Sequence, residues 1–585
     1  MISKWNYLPL TTEQRAIEAQ LVNEKFSSCP AIARLLVQRG IKSMEDAMQF
    51  FYPSLSQMHD PFLMRDMDKA VARLNMALGA KEKIMVYGDY DVDGTTAVAL
   101  VYRYLRNFYS NVIYYVPTRD DEGYGISLQS IDYAVSQGVR LIIVLDCGIK
   151  AIEEIAYAKQ QGIDFIVCDH HVPDDTLPDA VAILNPKQKD DPYPFKELSG
   201  CGVGFKFMQA FAKSNGINNL YDLEGLLDLL VVSIVADIVP IVGENRIMAY
   251  YGLRRLNSNP NVGFRNIIKL CGLNRKELTI SDIIFKIGPR INASGRMESG
   301  LESVELLVTK KPSEAYEIGK RIDQYNKDRK ELDRQITEEA NIIIENHREQ
   351  IGEKKPIVIY DRSWHKGIIG IVASRLAELY FRPSVVLTYD SDGIAIGSSR
   401  SVRGFDVYSA IKSCRDLLEN FGGHTNAVGL SLKEENIPEF RKRLSAYVES
   451  HIQTEQVTPQ LDIDCELTFD EINHDLMKYM RMFNPFGPEN VKPVFMTLNV
   501  RDAGTSKLVG KKLEHIKLEV VDGKSDKVMN CIAFNMGQYY DYIKEGKPFD
   551  ICYTIEENRH RNTTSIQLLI KGINIHDDVT DGEHS

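Results

Sequence analysis

The stretch IMVYGDYDVDG (residues 84–94) places a short apolar run directly before three acids. Such a run, bounded by Gly and Asp, is typical of a buried strand that ends in a turn. A single Asp in this position is more often a turn former or a helix N-cap than a metal ligand. The meaning of Asp89, Asp91 and Asp93 therefore depends on what ends the neighbouring strands.

Short apolar runs alternate with helix-like segments from about residue 70 to 240, a pattern that predicts parallel β/α units. The longer, Leu-rich run LLDLLVVSIVA (226–236) predicts a helix. The further predicted strands are VIYYV (112–116), LIIVL (141–145), FIVC (165–168) and VAIL (181–184).

Polar side chains follow three more of these segments. LIIVL is followed by Asp146, FIVC by Asp169, His170 and His171, and the predicted helix by Asp237. In an open parallel sheet the carboxyl ends of the strands lie along one edge, where such folds bind ligands. Because four segments end in the same way, we expect their acids to converge at that edge.

So many carboxylates stay ionised together only where cations neutralise them. Oxygen ligands with one or two imidazoles suit Mg²⁺ or Mn²⁺ better than a thiolate-binding metal. Two such ions about 4 Å apart can activate a water and stabilise the leaving oxygen of a phosphoryl displacement. The pattern therefore indicates two-metal phosphoester hydrolysis.

The composition is ordinary for a globular protein of 585 residues, with 44% hydrophobic and 26% charged residues. No apolar run approaches the ~20 residues of a membrane span, and the start has no signal-peptide region, so we expect a cytoplasmic protein without a membrane partner. The nine cysteines form no C-x-x-C pair, which argues against a zinc ribbon or a disulfide framework. At a net charge of -11, any nucleic acid must be held by local basic patches.

The second half of the chain changes character twice. A charged helical stretch from Pro312 to about Gln350 predicts a connecting helix, and a second α/β segment runs from 356 to about 450. Five β-rich runs then suit a small barrel of the oligonucleotide-binding (OB) class, although a sandwich fits their spacing nearly as well. The runs are VFMTLNV (494–500), HIKLEVVDG (515–523), VMNCIAF (528–534), FDICYTI (549–555) and SIQLLIKG (565–572).

Five ordered motifs resemble those of the DHH phosphoesterase superfamily: GDYDVDG (88–94), PTRDDEGYG (117–125), DCG (146–148), DHH (169–171) and VADIVP (235–240). Five more narrow the resemblance to the RecJ single-strand-specific exonuclease family: GPRINASGR (288–296), WHKGIIGIVASRL (364–376), GSSRS (397–401), FGGHTNAVG (421–429) and NPFGPENVKPVF (484–495). The resemblance covers nearly the whole chain.

The resemblance implies a multidomain α/β protein with a parallel-sheet catalytic domain. The expected parts are an N-terminal helical leader (1–65), the DHH catalytic domain (66–310), a connecting helix (311–352), a smaller α/β substrate-binding DHHA1 domain (353–455), a β-rich, OB-like nucleic-acid-binding domain (456–578) and a tail (579–585).

The resemblance also implies a set of metal ligands, with Asp146 bridging the two ions. The set is Asp91, Asp93, Asp146, His170 and Asp237.

Three neighbouring residues are implied in catalysis. Some relatives carry a histidine four residues before the first of the two spaced acids, where this chain has Tyr87, so Asp89 is expected to complete the first metal site. Asp169 is expected to orient an imidazole. His171 is expected at the scissile phosphate, as an acid or a hydrogen-bond donor.

Phosphate recognition is assigned to arginines within the motifs. Arg119 either recognises a phosphate through its planar guanidinium or forms a surface ion pair with Asp120 or Glu122. Arg290 and Arg296 bracket a predicted turn and resemble phosphate clamps. We predict that Arg290 recognises a 5′-terminal phosphate.

Other residues of the motifs are expected to bind the substrate. Trp364 either stacks on a base or packs in a core. The glycines of SGCGVGFK (199–206) imitate a dinucleotide fingerprint but follow no strand and lack the third-glycine spacing, which argues against an NAD site. The remaining substrate-binding set is Tyr124, Asn292, Trp364, His365, Ser399, Arg400, Gly422, Gly423 and His424; basic residues in apparent loops of the last domain are Lys507, Lys511, Lys512, Arg559, His560 and Arg561.

Together these features predict an exonuclease that uses two Mn²⁺ or Mg²⁺ ions. Its action on single-stranded DNA from the 5′ end, its 5′-mononucleotide products and a role in recombination and repair are implied by the resemblance alone. The expected partners are single-stranded DNA, a single-strand-binding protein and a helicase, and the expected state is a monomer. Two alternatives stay open: a phosphodiesterase for short oligonucleotides or cyclic dinucleotides, and a non-catalytic single-strand-binding scaffold.

Overall fold

The computed structural model describes residues 4–217, 223–347, 354–390, 393–525, 527–560 and 563–576. Arg561 and the predicted tail 579–585 lie outside these ranges, as do the side chains of Arg559 and His560. The chain divides into two compact units. Unit 1 comprises Met1–Tyr52, Thr458–Phe486 and Asn490–Ser585, and unit 2 comprises Pro53–Val457 with Gly487–Glu489.

The strands are numbered along the chain as follows: β1 Lys4–Tyr7, β2 Lys83–Gly88, β3 Val112–Tyr115, β4 Val139–Leu145, β5 Asp164–Cys168, β6 Ala182–Leu184, β7 Ile357–Tyr360, β8 Ser384–Tyr389, β9 Ala395–Arg400, β10 Leu418–His424, β11 Ala427–Leu432, β12 Gln460–Ile463, β13 Cys465–Glu466, β14 Phe495–Asp502, β15 Lys507–Val509, β16 His515–Val521, β17 Met529–Ala533, β18 Phe549–His560 and β19 Thr563–Ile575.

The α-helices of five or more residues are α1 Thr12–Leu21, α2 Pro30–Gln38, α3 Met44–Phe51, α4 Met67–Gly79, α5 Val92–Leu105, α6 Leu128–Ser136, α7 Ile152–Gln160, α8 Gly200–Ser214, α9 Leu227–Ala236, α10 Gly243–Ser258, α11 Val262–Leu270, α12 Gly288–Met297, α13 Leu301–Val308, α14 Pro312–Asn346, α15 Ile369–Tyr380, α16 Val407–Lys412, α17 Ile437–His451, α18 His474–Met482 and α19 Tyr540–Lys544. None of the helices in the described ranges is long and apolar enough to cross a membrane.

The N-terminal half of unit 2 is built on a parallel sheet with strand order β3-β2-β4-β5-β6. Val86 and Ile143 pack on one face with α5 and α8, whereas Tyr87 and Val144 pack on the other face with α6 and α7. A sheet that is buried on both faces requires continuous apolar strands. This is why the five strands were visible as uninterrupted runs, and the structure confirms them.

The other half of unit 2 begins with the 35-residue helix α14. Beyond it lies a mixed sheet with order β10-β11-β9-β8-β7, in which only the β7–β8 pair is parallel among the described strands. Buried apolar side chains of α15 cover one face and those of α16 and α17 the other. The segment is therefore a second, smaller α/β layer structure.

Unit 1 joins the two ends of the chain in one core. Strand β1 pairs in parallel with β12, and buried side chains of α1, α2 and α3 share a cluster with those of strands β14 to β19. This differs from a separate leader of residues 1–65, because the apolar faces of these helices are buried against the C-terminal strands. The strands close a ring in the order β14-β18-β19-β17-β16, since β14 also pairs with β16. The barrel is thereby favoured over the sandwich.

Candidate metal centre

The register of the parallel sheet brings the predicted acids to one level. Gly88 lies beside Leu145 and Leu145 beside Cys168. The segments that follow these three strands therefore leave the sheet next to one another, as the strand-end argument requires. Asp237 joins them from a different element, because it follows the C-terminal end of helix α9.

The GDYDVDG segment turns directly from β2 into α5. Asp91 is the N-cap of α5 and accepts a hydrogen bond from the Gly94 N–H at 3.1 Å. A side chain at Gly94 would meet the Asp89 backbone oxygen at 2.3 Å, so glycine is required for this tight turn. The capping role and a metal-binding role coexist in Asp91, since a carboxylate has oxygen lone pairs for both.

His170 lies among three carboxylates. Its Nε2 atom is 3.2 Å from Asp146 Oδ1, 3.6 Å from Asp237 Oδ2 and 3.8 Å from Asp93 Oδ2. Burial lowers the pKa of His170 to about 4, so the ring is neutral near pH 7. A neutral imidazole surrounded by carboxylate oxygens is suited to bind a divalent cation.

The carboxylates of this edge repel one another. Burial, followed by the charges of Asp93 and Asp91, raises the pKa of both Asp146 and Asp237. Burial and the charge of Asp91 raise the pKa of Asp89 in the same way. A cation placed among these groups removes the repulsion.

Two observations test whether the residues fit metal ions. Both ring nitrogens of His170 are buried, and so is the Oδ1 atom of Asp89. These three atoms find no hydrogen-bond partner within the described part of the chain. Two sets of ligand atoms, each within 4.8 Å of one another, can hold an ion: Asp93, His170 and Asp237, and Asp146, His170 and His171. Both observations fit a pair of divalent cations.

Asp169 interacts with both histidines that follow it. Its Oδ1 atom accepts hydrogen bonds from the His170 N–H at 2.7 Å and from the His171 N–H at 3.1 Å, and it lies 2.7 Å from His171 Nδ1. Burial alone would raise the pKa of Asp169, but the hydrogen bond and charge of His171 outweigh it and lower the pKa to about 2. Burial lowers the pKa of His171, but this bond and the charges of Asp169, Asp93 and Asp91 together outweigh burial and raise it. Asp169 is thus placed to orient His171.

Two tyrosines border the edge. Tyr87 is buried and donates its hydroxyl to the Gly125 carbonyl at 2.6 Å, so it supports the PTRDDEGYG loop. Tyr124 donates to the Asp146 carbonyl at 3.2 Å, and its hydroxyl lies 3.3 Å from His171 Nδ1. Asn292 contacts the start of helix α5, where its Oδ1 accepts a hydrogen bond from the Val92 N–H at 3.1 Å.

A cluster of guanidinium groups adjoins the acids. Burial, followed by the positive charges of Arg119, Arg329 and Arg400, lowers the pKa of Arg296 to about 10. The Arg119 guanidinium lies 5.5 Å from the ring centre of Tyr90, which stands between Asp89 and Asp91. Like charges this close are stabilised by an anion between them, and a phosphate matches guanidinium geometry.

The acids next to Arg119 are engaged elsewhere. Asp120 forms an ion pair with Lys366 at 2.9 Å, and Glu122 accepts hydrogen bonds from the Thr118 N–H at 3.0 Å and from Tyr115 at 3.1 Å. This favours phosphate recognition over the surface ion pair for Arg119. His365 lies in the same region, where its Nδ1 accepts the Gly367 N–H at 3.0 Å.

Arg290 differs from the other arginines of the motifs. Its Nε donates to Asp323 Oδ1 at 2.8 Å, and another of its guanidinium nitrogens donates to the Lys286 carbonyl at 2.8 Å. Because the Arg290 guanidinium is already paired with a carboxylate, we no longer expect it to recognise the 5′ end. We expect this role of Arg119, Arg296 and Arg400 instead.

Ser399 and Arg400, the two residues of the GSSRS motif that were expected to bind the substrate, lie on opposite faces of strand β9. Ser399 is fully buried within the sheet, so it does not face a substrate. Ser398 instead shares a face with Arg400, whose guanidinium donates to the Ser398 hydroxyl at 2.8 Å. The correction follows from the two-residue period of a strand, which puts 398 and 400 on one side and 399 on the other.

Trp364 lies in a hydrophobic core. Its side chain is 4% exposed and packs in a cluster with Ile336 and Ile368. Its indole N–H donates to Glu339 at 2.8 Å, which satisfies the one polar atom of the ring. Of the two readings of Trp364, core packing is the one observed.

A groove of about 770 Å³ runs from the DHH histidines to the β10–β11 hairpin. The groove is lined by five residues of the predicted site: Tyr124, His171, Gly422, Gly423 and His424. The rings of His171 and His424 are nearly parallel, at 12°, with centres 6.1 Å apart. A side chain at Gly422 would meet no atom within 4 Å, so this glycine leaves open space that a substrate can occupy.

Two residues of the site were not predicted from the sequence, namely Asn185 and Lys187, which follow strand β6. Asn185 is buried and donates to the His171 carbonyl at 2.8 Å, and its Oδ1 accepts the Lys187 N–H at 2.8 Å. The charge of Lys187 opposes the repulsion that raises the pKa of Asp237. Strand β6 was predicted, and the same strand-end rule would have identified both residues.

Models of three families match the chain in the order of its domains. The DHH family, N-terminal domain, matches residues 83–234, the DHHA1 domain matches residues 353–450 and the RecJ OB domain matches residues 463–572. The first match covers the parallel sheet and most of the acids. Fold and site thus have the features of the DHH class.

Whole-chain relatives narrow the class. The single-stranded-DNA-specific exonuclease RecJ of Bacillus subtilis is 37% identical over 94% of this chain and 68% of its own length. Its counterpart in Haemophilus influenzae is 32% identical over 94% of this chain and 97% of its own length. This chain belongs to the RecJ family. The crystal structure of RecJ with Mn²⁺ from Thermus thermophilus has a similar fold, with a TM-score of 0.82 at 24% identity over 98% of this chain and 80% of that one.

Proposed function

We propose that this chain is a metal-dependent exonuclease that degrades single-stranded DNA from its 5′ end and releases 5′ mononucleotides. The observation that carries the proposal is the position of Tyr90, which lies between the acids Asp89 and Asp91 in the chain and whose ring centre is 5.5 Å from the guanidinium of Arg119. A metal site and a phosphate-binding cluster next to the same residue suit two successive phosphates of a strand. Relatives named single-stranded-DNA-specific exonucleases support the substrate.

The metal pair is proposed to be Mn²⁺ or Mg²⁺. Both ions are named in solved structures of RecJ from Thermus thermophilus, and the oxygen-rich ligand set agrees with either. When bound, such ions activate a water and stabilise the leaving oxygen of phosphodiester cleavage. The residues that would hold them are Asp89, Asp91, Asp93, Asp146, His170 and Asp237.

His171 is proposed to act on the scissile phosphate. Its Nδ1 is held 2.7 Å from Asp169 Oδ1, which fixes the ring, and His171 lines the groove. Because the bond to Asp169 raises the pKa of His171, the ring is suited to donate a proton or a hydrogen bond to the phosphate.

The 5′ polarity is supported by the guanidinium cluster. If Arg119, Arg296 and Arg400 hold a terminal phosphate, the next phosphodiester reaches the metal edge and a single nucleotide is released. A terminal phosphate carries more negative charge than an internal one and gains more from several guanidinium groups. The rest of the strand would leave through the groove lined by Gly422 and His424.

Unit 1 is proposed to bind single-stranded DNA. The OB class binds oligonucleotides, and Lys507, Lys511 and Lys512 lie on and beside strand β15. Their charges would attract a phosphate backbone although the whole chain carries a net charge of -11.

The remaining proposals concern the cell. Single strands arise when a duplex is opened and coated, so we propose a helicase and a single-strand-binding protein as partners in recombination and repair. A monomer in the cytoplasm is proposed, in agreement with nine cysteines that are all free thiols.

The proposal is tested with one single strand labelled at either end. Wild-type protein with Mn²⁺ should release the 5′ label at once as a mononucleotide, while the 3′ label should stay in long products until late. Omission of the metal, or the variant Asp146→Asn, should stop both reactions and thereby exclude a contaminating nuclease. Early release of the 3′ label would contradict the polarity, and internal cleavage would contradict exonuclease action.

A further inference from the structure

The motif SGCGVGFK (199–206) has a role that its glycine spacing does not suggest. Ser199 is the N-cap of α8 and accepts the Gly202 N–H at 3.1 Å. The first turn of α8 does not face a nucleotide; its N–H groups point at Asp93, which lies in the first turn of α5. Two helix starts thus meet at this carboxylate.

Three donors hold Asp93. Its Oδ2 atom accepts the Gly200 N–H at 2.6 Å, and its Oδ1 atom accepts the Cys201 N–H at 2.9 Å and the Ser233 hydroxyl at 2.6 Å. The Ser233 oxygen in turn lies 2.7 Å from the Ser199 hydroxyl, and both serines are fully buried. Oδ1 therefore has both lone pairs occupied, whereas Oδ2 keeps one for another partner.

The helix start is pressed against a second acid. A side chain on Gly200 would lie 2.6 Å from the Asp146 Cβ atom and 2.8 Å from its Oδ1, so only glycine fits. The free side of Asp93 Oδ2 is 3.8 Å from His170 Nε2. The positive end of α8 is thereby built into the carboxylate cluster.

We propose that Ser233 and the start of α8 position Asp93 as a one-oxygen metal ligand, with Oδ1 fixed by the protein and Oδ2 turned towards His170. The inference rests on the proposed function, since it takes Asp93 to bind a metal. Ser233 does not touch the substrate and acts only through Asp93, so it is a positioning residue. Hydrogen-bond partners of this kind typically contribute about 10- to 100-fold to metal affinity.

The test is titration of full-length protein, stripped of metal, with Mn²⁺ alone in a calorimeter. Ser233→Ala should weaken one class of Mn²⁺ site by about tenfold or more, because Oδ1 of Asp93 loses one of its two donors and the two backbone N–H groups that remain hold the carboxylate less firmly. Ser303→Ala is the matched control, since Ser303 is also fully buried and pairs with another serine hydroxyl, that of Ser294, at 2.6 Å. Its Mn²⁺ affinity should stay within about twofold of wild type.

A second measurement separates positioning from general damage. At saturating Mn²⁺ the turnover of Ser233→Ala should approach that of wild type, whereas the Mn²⁺ concentration for half-maximal activity should rise by the same factor as the dissociation constant. If Ser233→Ala does not fold, Ser233→Cys keeps the volume with a weaker donor, and an intermediate loss of affinity is expected. Unchanged Mn²⁺ affinity in whichever of these variants folds overturns the inference.

The failure of the inference and of the proposed function are distinguishable. Wild-type protein that binds no Mn²⁺ would overturn both. Wild-type protein that binds Mn²⁺ but leaves single strands intact would overturn only the function, and a selective loss of affinity in Ser233→Ala would still support the positioning of Asp93.

Discussion

Asp146 occupies a backbone conformation that few residues tolerate. Its φ is 61°, in the left-handed region, where Asn and Asp are several-fold enriched and Ala is strained. The carboxylate is buried and its pKa is raised by burial and by Asp93 and Asp91. Asparagine is therefore the substitution that removes the charge without disturbing the turn.

We predict that Asp146→Asn abolishes hydrolysis and raises the melting temperature of the metal-free protein. The gain follows from relief of charge repulsion, at roughly 1 °C for each kcal/mol relieved in a unit of this size. The measurement is thermal unfolding in chelator, with the activity assay run in parallel. Asp282→Asn provides the opposite control, because hydrogen bonds from Lys286 and Thr279 outweigh burial and lower the pKa of Asp282 to about 2. That variant should melt lower than wild type, and a lower melting temperature for Asp146→Asn as well would contradict the repulsion.

End recognition is predicted to depend on Arg400. Arg400→Ala should slow the digestion of 5′-phosphorylated strands by about ten- to a hundredfold, which corresponds to roughly 1.5–3 kcal/mol for a charge-assisted bond. Strands with a 5′-hydroxyl should be affected much less, since they have no terminal phosphate to lose. Arg290→Ala is the comparison, because its ion pair with Asp323 predicts a stability loss without this selectivity. Equal losses on both strands for Arg400→Ala would argue against a terminal-phosphate site.

At the scale of elements, the local hydrophobic pattern predicted the secondary structure of single segments. The five strands of the parallel sheet and helix α9 were visible because continuous apolar runs are required where both faces are buried. The face of strand β9 was not, since a run of two serines and an arginine fits either register. The hydrogen bonds that position Asp93 could not be predicted either, because Gly200 lies 107 positions after Asp93 and no sequence period connects the two residues.

The loop after α9 depends on one distant glycine. Within unit 2 the Ile241 N–H donates to the Pro488 carbonyl at 2.8 Å, and a side chain at Gly487 would lie 2.3 Å from Ile241 Cγ1. We predict that Gly487→Ala destabilises the protein by about 1–3 kcal/mol through overpacking. Thermal unfolding of this variant is compared with that of Gly79→Ala, where an added Cβ meets no atom within 4 Å. Equal melting temperatures for both variants would show that the loop yields without cost.

At the scale of the whole molecule, the two ends of the chain share unit 1. We predict that a fragment of residues 1–457 aggregates, because α1 to α3 lose the strands on which their apolar faces are buried. A fragment of residues 53–457 should be better behaved and should still cleave short oligonucleotides. Size-exclusion chromatography and light scattering compare the two fragments. Monodisperse 1–457 would show that the helices do not need the barrel.

The shorter fragment also tests the strand path. Affinity of residues 53–457 for long single strands should fall, and its dependence on salt should flatten by about 0.7 in the log–log slope for each phosphate that the fragment no longer binds. Cleavage of a very short oligonucleotide should change far less, since such a substrate does not extend beyond the groove. An unaltered salt slope would contradict a binding role for the basic loops of unit 1.

The groove between His171 and Gly422 is a candidate binding site for a small-molecule inhibitor. Its volume of about 770 Å³ lies within the range of roughly 300–1,000 Å³ in which pockets enclose drug-sized molecules. Apolar walls from Ile149 and Leu430 stand beside the polar histidines. If the groove carries the strand as proposed, a compound shaped to these walls would block the strand without chelating the ions, and it could use the space beside Gly422 and Gly423.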